Sequence, residues 1–192
     1  MIEVGIREGG ELVSIYIALL RGINVGGKNS LPMRDLVTIL ERLGATDVRT
    51  YIQSGNAVFR HDSKSAAKLA GTIGVAIRQS HGFEPRLLVL EAAELERAMA
   101  ANPFPEAEAE PKSLHFFFLA AAAEDPDLRR LEELTGSTER FRLGDRVLYL
   151  HAPNGIGRSK LAAGVEKSLG VVATGRNFRT VSKIHELAGE GQ

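Results

Sequence analysis

The sequence predicts an α+β chain made of two ferredoxin-like halves, each running β-α-β-β-α-β, with an extra helix at the C-terminus. Three observations carry this prediction. Strand-length apolar runs alternate with stretches whose leucines and isoleucines recur at helical spacing, and the order occurs twice. Each half contains two adjacent strand-like runs joined by a short turn with glycine at its centre. Between the halves lies NPFPEAEAEP, residues 102–111, whose three prolines and alternating Glu-Ala read as a linker. The competing architecture is one continuous mixed sheet covered by helices.

The opening MIEVGIREGGEL is rich in Gly and Glu and lacks periodicity, so residues 1–13 read as a flexible extension. Ser14–Leu20 (SIYIALL) is dense in apolar and β-branched residues and reads as the first strand. Pro32 opens a helix marked by Leu36, Leu40 and Leu43, and Gly44 ends it. Val48–Gln53 and Ala57–His61 form a hairpin around Ser54-Gly55-Asn56. Leu69, Ile73 and Ile77 stripe a longer helix, broken at His81-Gly82, and Pro85–Leu90 is the fourth strand. A short helix near Ala92–Ala101 closes the first half, predicted as a domain over residues 14–101.

The second half, residues 112–192, repeats this order. Leu114–Leu119 (LHFFFL) is a strand, and Leu128, Leu131 and Leu134 mark a helix. Arg140–Leu143 and Arg146–His151 form a hairpin around Gly144-Asp145. Leu161, Val165 and Leu169 mark the next helix, and Val171–Ala173 is a short last strand. The extra helix runs from about Arg179 to Ala188. Alternation sends Phe116 and Phe118 to one face of their strand and Phe117 to the other, a core pattern rather than an RNA-stacking platform.

Charge and composition narrow the function. With 24 basic and 24 acidic residues the net charge is zero, which argues against coating of polyanions by bulk charge. The distribution is nonetheless uneven, because residues 158–183 hold Arg158, Lys160, Lys167, Arg176, Arg179 and Lys183 against Glu166 alone. Cysteine is absent, which excludes disulfides and thiolate chemistry and fits a cytoplasmic setting. No apolar run approaches the ~20 residues of a membrane span, and no signal-like segment stands at the start. The five histidines lack metal-ligand spacing, so neither a metal nor a cofactor is predicted. No G-x-S-x-G elbow or paired carboxylates nominate a catalytic group.

The stretch RGINVGGKNS, residues 21–30, nearly spells a P-loop, with Asn29 where Ser or Thr would hold magnesium. The setting argues against that reading. Pro32 starts the helix too late, and a hairpin follows instead of a parallel strand. In a split βαβ unit this loop shares an end with the QSGN turn, and His81-Gly82 lies there too. In the second half HAPNGIGRSK and TGRNFRT share the opposite end. Both clusters have anion-site chemistry, with flexible glycines, helix N-termini and cations. Candidate ligand-binding residues are Arg21, Asn24, Gly26, Gly27, Lys28, Gln53, Ser54 and Asn56 in the first, and Arg158, Ser159, Lys160, Arg176 and Asn177 in the second. Asn177 also reads as a helix N-cap.

LLRGINVGGKN, YIQSGN, NPF, GRSK and T-x-RN-F-x-T, in this order and spacing, resemble the bacterial family called domain of unknown function 1697, over about residues 14–188. The resemblance implies a two-part protein with ferredoxin-like halves, and it supplies no catalytic residues. The chain departs from the family pattern at Phe178, where the pattern has Trp. The expected function is binding of a phosphate-bearing metabolite, nucleotide or nucleic-acid end. The rivals are an enzyme acting on a phosphorylated or carboxylated small molecule, and an interaction protein whose Gly loops are purely structural.

Overall fold

The structure, a computed structural model, describes residues 6–8 and 11–190. Its elements in order are β1 (Ile6–Glu8), β2 (Glu11–Arg21), α1 (Met33–Arg42), β3 (Thr46–Tyr51), β4 (Asn56–His61), α2 (Ala66–His81), β5 (Arg86–Glu91) and α3 (Ala92–Ala100). A 3-10 helix at Pro105–Ala109 leads into β6 (Leu114–Leu119), α4 (Leu128–Leu134), β7 (Arg140–Leu143), β8 (Val147–His151), α5 (Lys160–Leu169), β9 (Ala173–Asn177) and α6 (Phe178–Gly189). The chain divides into two compact units, Met1–Glu96 with Lys183–Gln192, and Arg97–Ser182.

Each unit is an antiparallel sheet with the ferredoxin-like strand order. In the first, β4 separates β2 from β3, and β5 pairs with the other side of β2. In the second the order is β7-β8-β6-β9. The fold is therefore α+β with two ferredoxin-like halves and an added C-terminal helix, and the single continuous sheet is not what forms. Residues 1–5 and 9–10 of the expected extension lie outside the described residues. Of the rest, Ile6–Glu8 pairs in antiparallel register with Glu11–Val13 as a short hairpin on the start of β2.

The cores follow from strand alternation. In the first unit Tyr16, Ala18, Leu20 and Phe59 meet Leu36, Leu40, Leu69, Ile73 and Ile77 of α1 and α2. In the second unit Phe117, Leu119, Leu148 and Leu150 meet Leu131, Leu161, Val165 and Leu169 of α4 and α5. Phe116, on the opposite face from Phe117, packs edge-on against Tyr149 at 4.9 Å and lies 5.8 Å from Phe178. Phe178 thus fills an aromatic cluster that asks for ring area and not for an indole N–H.

Two segments with loop-like composition are ordered by packing. In residues 102–111, Phe104 and Ala107 are buried while Glu106, Glu108 and Ala109 are exposed, so two apolar side chains pin the segment. The last strand is longer than the expected Val171–Ala173 and runs to Asn177, with Thr174 opposite Phe118 and Arg176 opposite Phe116. Gly175 falls in TGRNFRT, the segment read as lying beyond the last strand, but it serves a close approach within β9. A Cβ there would stand 2.9 Å from Cε1 of Phe117.

The end of the C-terminal helix belongs to the first unit and is held there by polar contacts. Arg49 Nη1 donates to the Leu187 carbonyl at 3.2 Å and lies 3.4 Å from Glu190 Oε2, so a cation sits at the negative end of α6. Asp47, itself at φ 51, anchors Arg49 at 3.1 Å and lies 3.7 Å from Arg60.

Tyr149 gives the second unit a pH dependence. Its hydroxyl donates to the Ala98 carbonyl at 2.8 Å, and burial pushes the phenol up to about 12. Burial also raises the Tyr16 phenol, reinforced by the nearby Glu91 carboxylate. An unfolded tyrosine releases its proton near pH ~10, where the folded one keeps it. The unfolded chain then binds fewer protons, so stability falls as pH rises through the window between about 10 and 12. Denaturant midpoints measured across that window should drop, and Tyr149→Phe should flatten the drop.

Candidate functional site

The loop after β2 is a miniature hairpin. Asn24 N donates to Asn29 O at 3.1 Å, and Lys28 N donates to Val25 O at 3.1 Å. Gly26 and Gly27 have φ of 59 and 73, the two positive values that a type I′ turn requires. A P-loop aims its amides at a phosphate from the start of a helix. Here the Asn24 and Lys28 amides are satisfied within the loop, and α1 begins only at Met33.

Asn24 locks this hairpin to the rest of its end of the unit. Its Oδ1 accepts from Leu31 N at 2.8 Å, and its Nδ2 donates to Leu31 O and Gln53 O, both at 2.9 Å. A φ of 55 suits asparagine better than most residues. Asn29 adds a bond from Nδ2 to Gly22 O at 2.9 Å. The Gly-rich loop and the QSGN turn are thus joined, as the ferredoxin-like connection requires. His81 lies at the same end, its Nε2 3.3 Å from Asp35 Oδ2 in the first turn of α1.

The QSGN turn is closed from below. Leu20 N donates to Gly55 O at 2.8 Å, and Gly55 has φ 80. Asn56 is fully buried, and its Nδ2 donates to Tyr51 O at 3.0 Å and to Ser54 Oγ at 3.2 Å. These two residues build the turn, while Gln53 and Ser54 are exposed on it.

What this end presents outward is cationic and apolar. Arg21 and Arg86 are register partners at the ends of β2 and β5, and both are exposed and already engaged in the fold. Lys28 is exposed, and no described residue meets its ammonium. Val25 and Ile52 are 69% and 50% exposed, on either side of the Asn24–Gln53 bond. Ile52 holds φ 51, a left-handed conformation that costs a β-branched residue about 1–2 kcal/mol. The groove found on this unit lies elsewhere, lined by Ile15, Asp47, Val58, Arg60 and Leu187 among others, and touches none of the candidate residues.

The second-half candidates share one end of their sheet, because β8 and β9 both finish opposite the start of β6. Their side chains do much local work. Ser159 caps α5, accepting from Ala162 N at 3.0 Å, and Asn177 Oδ1 accepts from Thr180 N at 2.9 Å at the start of α6. Arg176 and Asn177 stand on β9, not in a loop as the sequence reading has it, because 174–177 pair with β6. Arg176 Nη1 donates to Gly175 O at 2.9 Å, and burial lowers its guanidinium to about 10. Arg158 and Lys160 are exposed beside the α5 N-terminus, against the helix dipole.

Sequence reasoning missed one charged cluster at this end. Arg140 of β7 reaches Glu106 and His151 over the ring of Phe104. Glu106 sits in the segment read as a linker, and Arg140 in an edge strand of mixed character, so no spacing connects them. Among the described residues no group of His, Asp and Glu could hold a metal ion, and no helix is long and apolar enough to cross a membrane.

Fold and loops together define a two-half α+β protein with exposed loop ends. A family model described as "Protein of unknown function (DUF1697)" matches residues 13–149, and the chain belongs to that family. Among solved structures, a conserved bacterial protein from Streptococcus pneumoniae is similar to it. That likeness has a TM-score of 0.71 and 24% identity, covering 92% of this chain and 99% of the other, and it bears on the fold alone. No curated protein matches the chain.

Proposed function

We propose that this is a binding protein for a phosphate carried on a larger partner, such as a nucleic-acid end, with the hairpin end of the first unit as the contact surface. The observation that carries the reading is the Asn24 lock, which joins two loops into one pre-ordered platform with Lys28 exposed upon it. Pre-ordering spares the partner the entropy of fixing these loops. Of the first unit's candidate residues, all but Asn56 are exposed. A small metabolite normally buries most of its surface in a concavity, so an exposed cationic platform suits a polymer end better. With no net charge on the chain, recognition would be local and salt-sensitive.

A thermal-shift titration with 5′-phosphorylated and 5′-hydroxyl oligonucleotides tests this. At a hundredfold excess over its dissociation constant the phosphorylated ligand stabilises by about 2.7 kcal/mol. Lys28→Ala should abolish that effect, while the hydroxyl ligand binds poorly. The exposure of Val25 and Ile52 favours a second reading, a protein partner docked on this end. That reading predicts no oligonucleotide effect, and loss of partner binding on Val25→Ser with Ile52→Ser.

A further inference from the structure

In the second unit, Arg140 stands opposite His151 in the β7–β8 register. Its Nη2 donates to Glu106 Oε1 at 2.5 Å and to His151 Nδ1 at 3.0 Å. Its guanidinium carbon lies 4.9 Å from the centroid of the Phe104 ring, which in turn lies 6.2 Å from the His151 ring. Phe104 is buried, so it forms a fixed floor for the cation.

Hydrogen counting shows what this arrangement leaves over. Guanidinium carries five N–H groups, and the two on Nη2 are used by Glu106 and His151. Among the described residues no partner meets Nε or Nη1 of Arg140. Acceptance at Nδ1 places the proton of a neutral His151 on Nε2, which likewise has no partner among the described residues. The cluster therefore offers several preset donors, and one carboxylate occupies part of it. That carboxylate belongs to an exposed side chain on a five-residue 3-10 helix, and an exposed ion pair of this kind is weak and readily exchanged.

We propose that the Arg140 guanidinium, steadied by His151 and the Phe104 ring, is an anion site of the phosphate class, and that Glu106 guards it as a resident carboxylate that an incoming phosphate displaces. Phosphate offers more acceptor oxygens than a carboxylate and bears more charge, so it can take the Nη2–H that Glu106 holds together with a second guanidinium N–H, where Glu106 takes one alone. Glu106 then sets the threshold. Weak monoanions fail to displace it, and dianions succeed. This site is separate from the hairpin end of the first unit and does not depend on the reading given for it.

The test uses the full chain and inorganic phosphate, with phenyl phosphate as a phosphomonoester, followed by calorimetry. Glu106→Gln removes the competing charge while keeping the side-chain shape, and should tighten phosphate binding about tenfold. Arg140→Gln should abolish binding, whereas Arg140→Lys keeps the charge and should bind weakly, which guards against a folding artefact. Lys28→Ala should leave phosphate affinity at this site unchanged, so loss of oligonucleotide binding in that variant bears only on the first unit. Equal phosphate affinity in the wild type and Glu106→Gln would overturn the proposal, as would binding that survives Arg140→Gln. Acetate should compete poorly with phosphate in the wild type, and acetate binding as tight as phosphate would remove Glu106 as a guard.

Discussion

Gly55→Ala is expected to destabilise the first unit by about 3 kcal/mol, the sum of two independent penalties. The residue holds φ 80, and a left-handed conformation costs an L-residue about 1–2 kcal/mol. A Cβ there would also lie 2.7 Å from Leu20 Cβ and 2.7 Å from Ile23 Cδ1, closer than carbon atoms approach. Leu20 and Ile23 are both buried, so neither can swing clear without disturbing the core beneath the turn. Overpacking of this kind costs about 1–3 kcal/mol. Urea denaturation should report the loss as a lowered midpoint. Gly26→Ala is the informative control, since it has a positive φ but nothing within 4 Å of its Cβ, and should cost only the conformational part.

Asn24→Ala is the second large effect, expected at about 2–3 kcal/mol, because three side-chain hydrogen bonds are lost at roughly 1 kcal/mol each. Those bonds reach Leu31 twice and Gln53 once. The change also leaves a residue with a β-carbon at φ 55 without the local bonds that make asparagine tolerable there. Asn24→Gly separates the two causes, as it loses the same bonds but accepts the backbone, and should cost less than Asn24→Ala. Hydrogen exchange at the Leu31 amide should speed up in both variants, because its acceptor is the missing Oδ1. Exchange in β6 of the second unit should not change.

Much of this was legible in the chain, for reasons that can be named. The strand order followed from the hydrophobic periods, since a β-α-β-β-α-β series of antiparallel strands has few ways to bury both helices on one face. The shared end of the Gly-rich loop and the QSGN turn followed from that topology. What the sequence could not convey was which polar side chains turn inward. Asn56 looks like a ligand residue in a turn, yet it is fully buried and knits the turn together. Ser159 looks like an anion ligand, and its oxygen caps a helix, as does that of Asn177, whose capping role was legible. Gly175 looks like a loop, because the ring of Phe117 that demands it lies nearly sixty positions away in sequence. The Glu106–Arg140 contact was invisible for the same reason, joining residues 34 positions apart, whereas Arg140 and His151 belong to a hairpin that could be read.

The most direct test of the central claim, that RGINVGGKN is a locked cationic hairpin facing a phosphate on a larger partner, is amide chemical-shift mapping of the full chain. The titrant is a 5′-phosphorylated single-stranded oligonucleotide, compared with magnesium ATP. The account predicts shifts confined in the first unit to Arg21, Val25–Lys28 and Ile52–Ser54, larger with the oligonucleotide and lost in Lys28→Ala. Tight magnesium ATP binding with shifts running into the first turn of α1 would contradict it, because that is the signature of a phosphate cradle at a helix N-terminus.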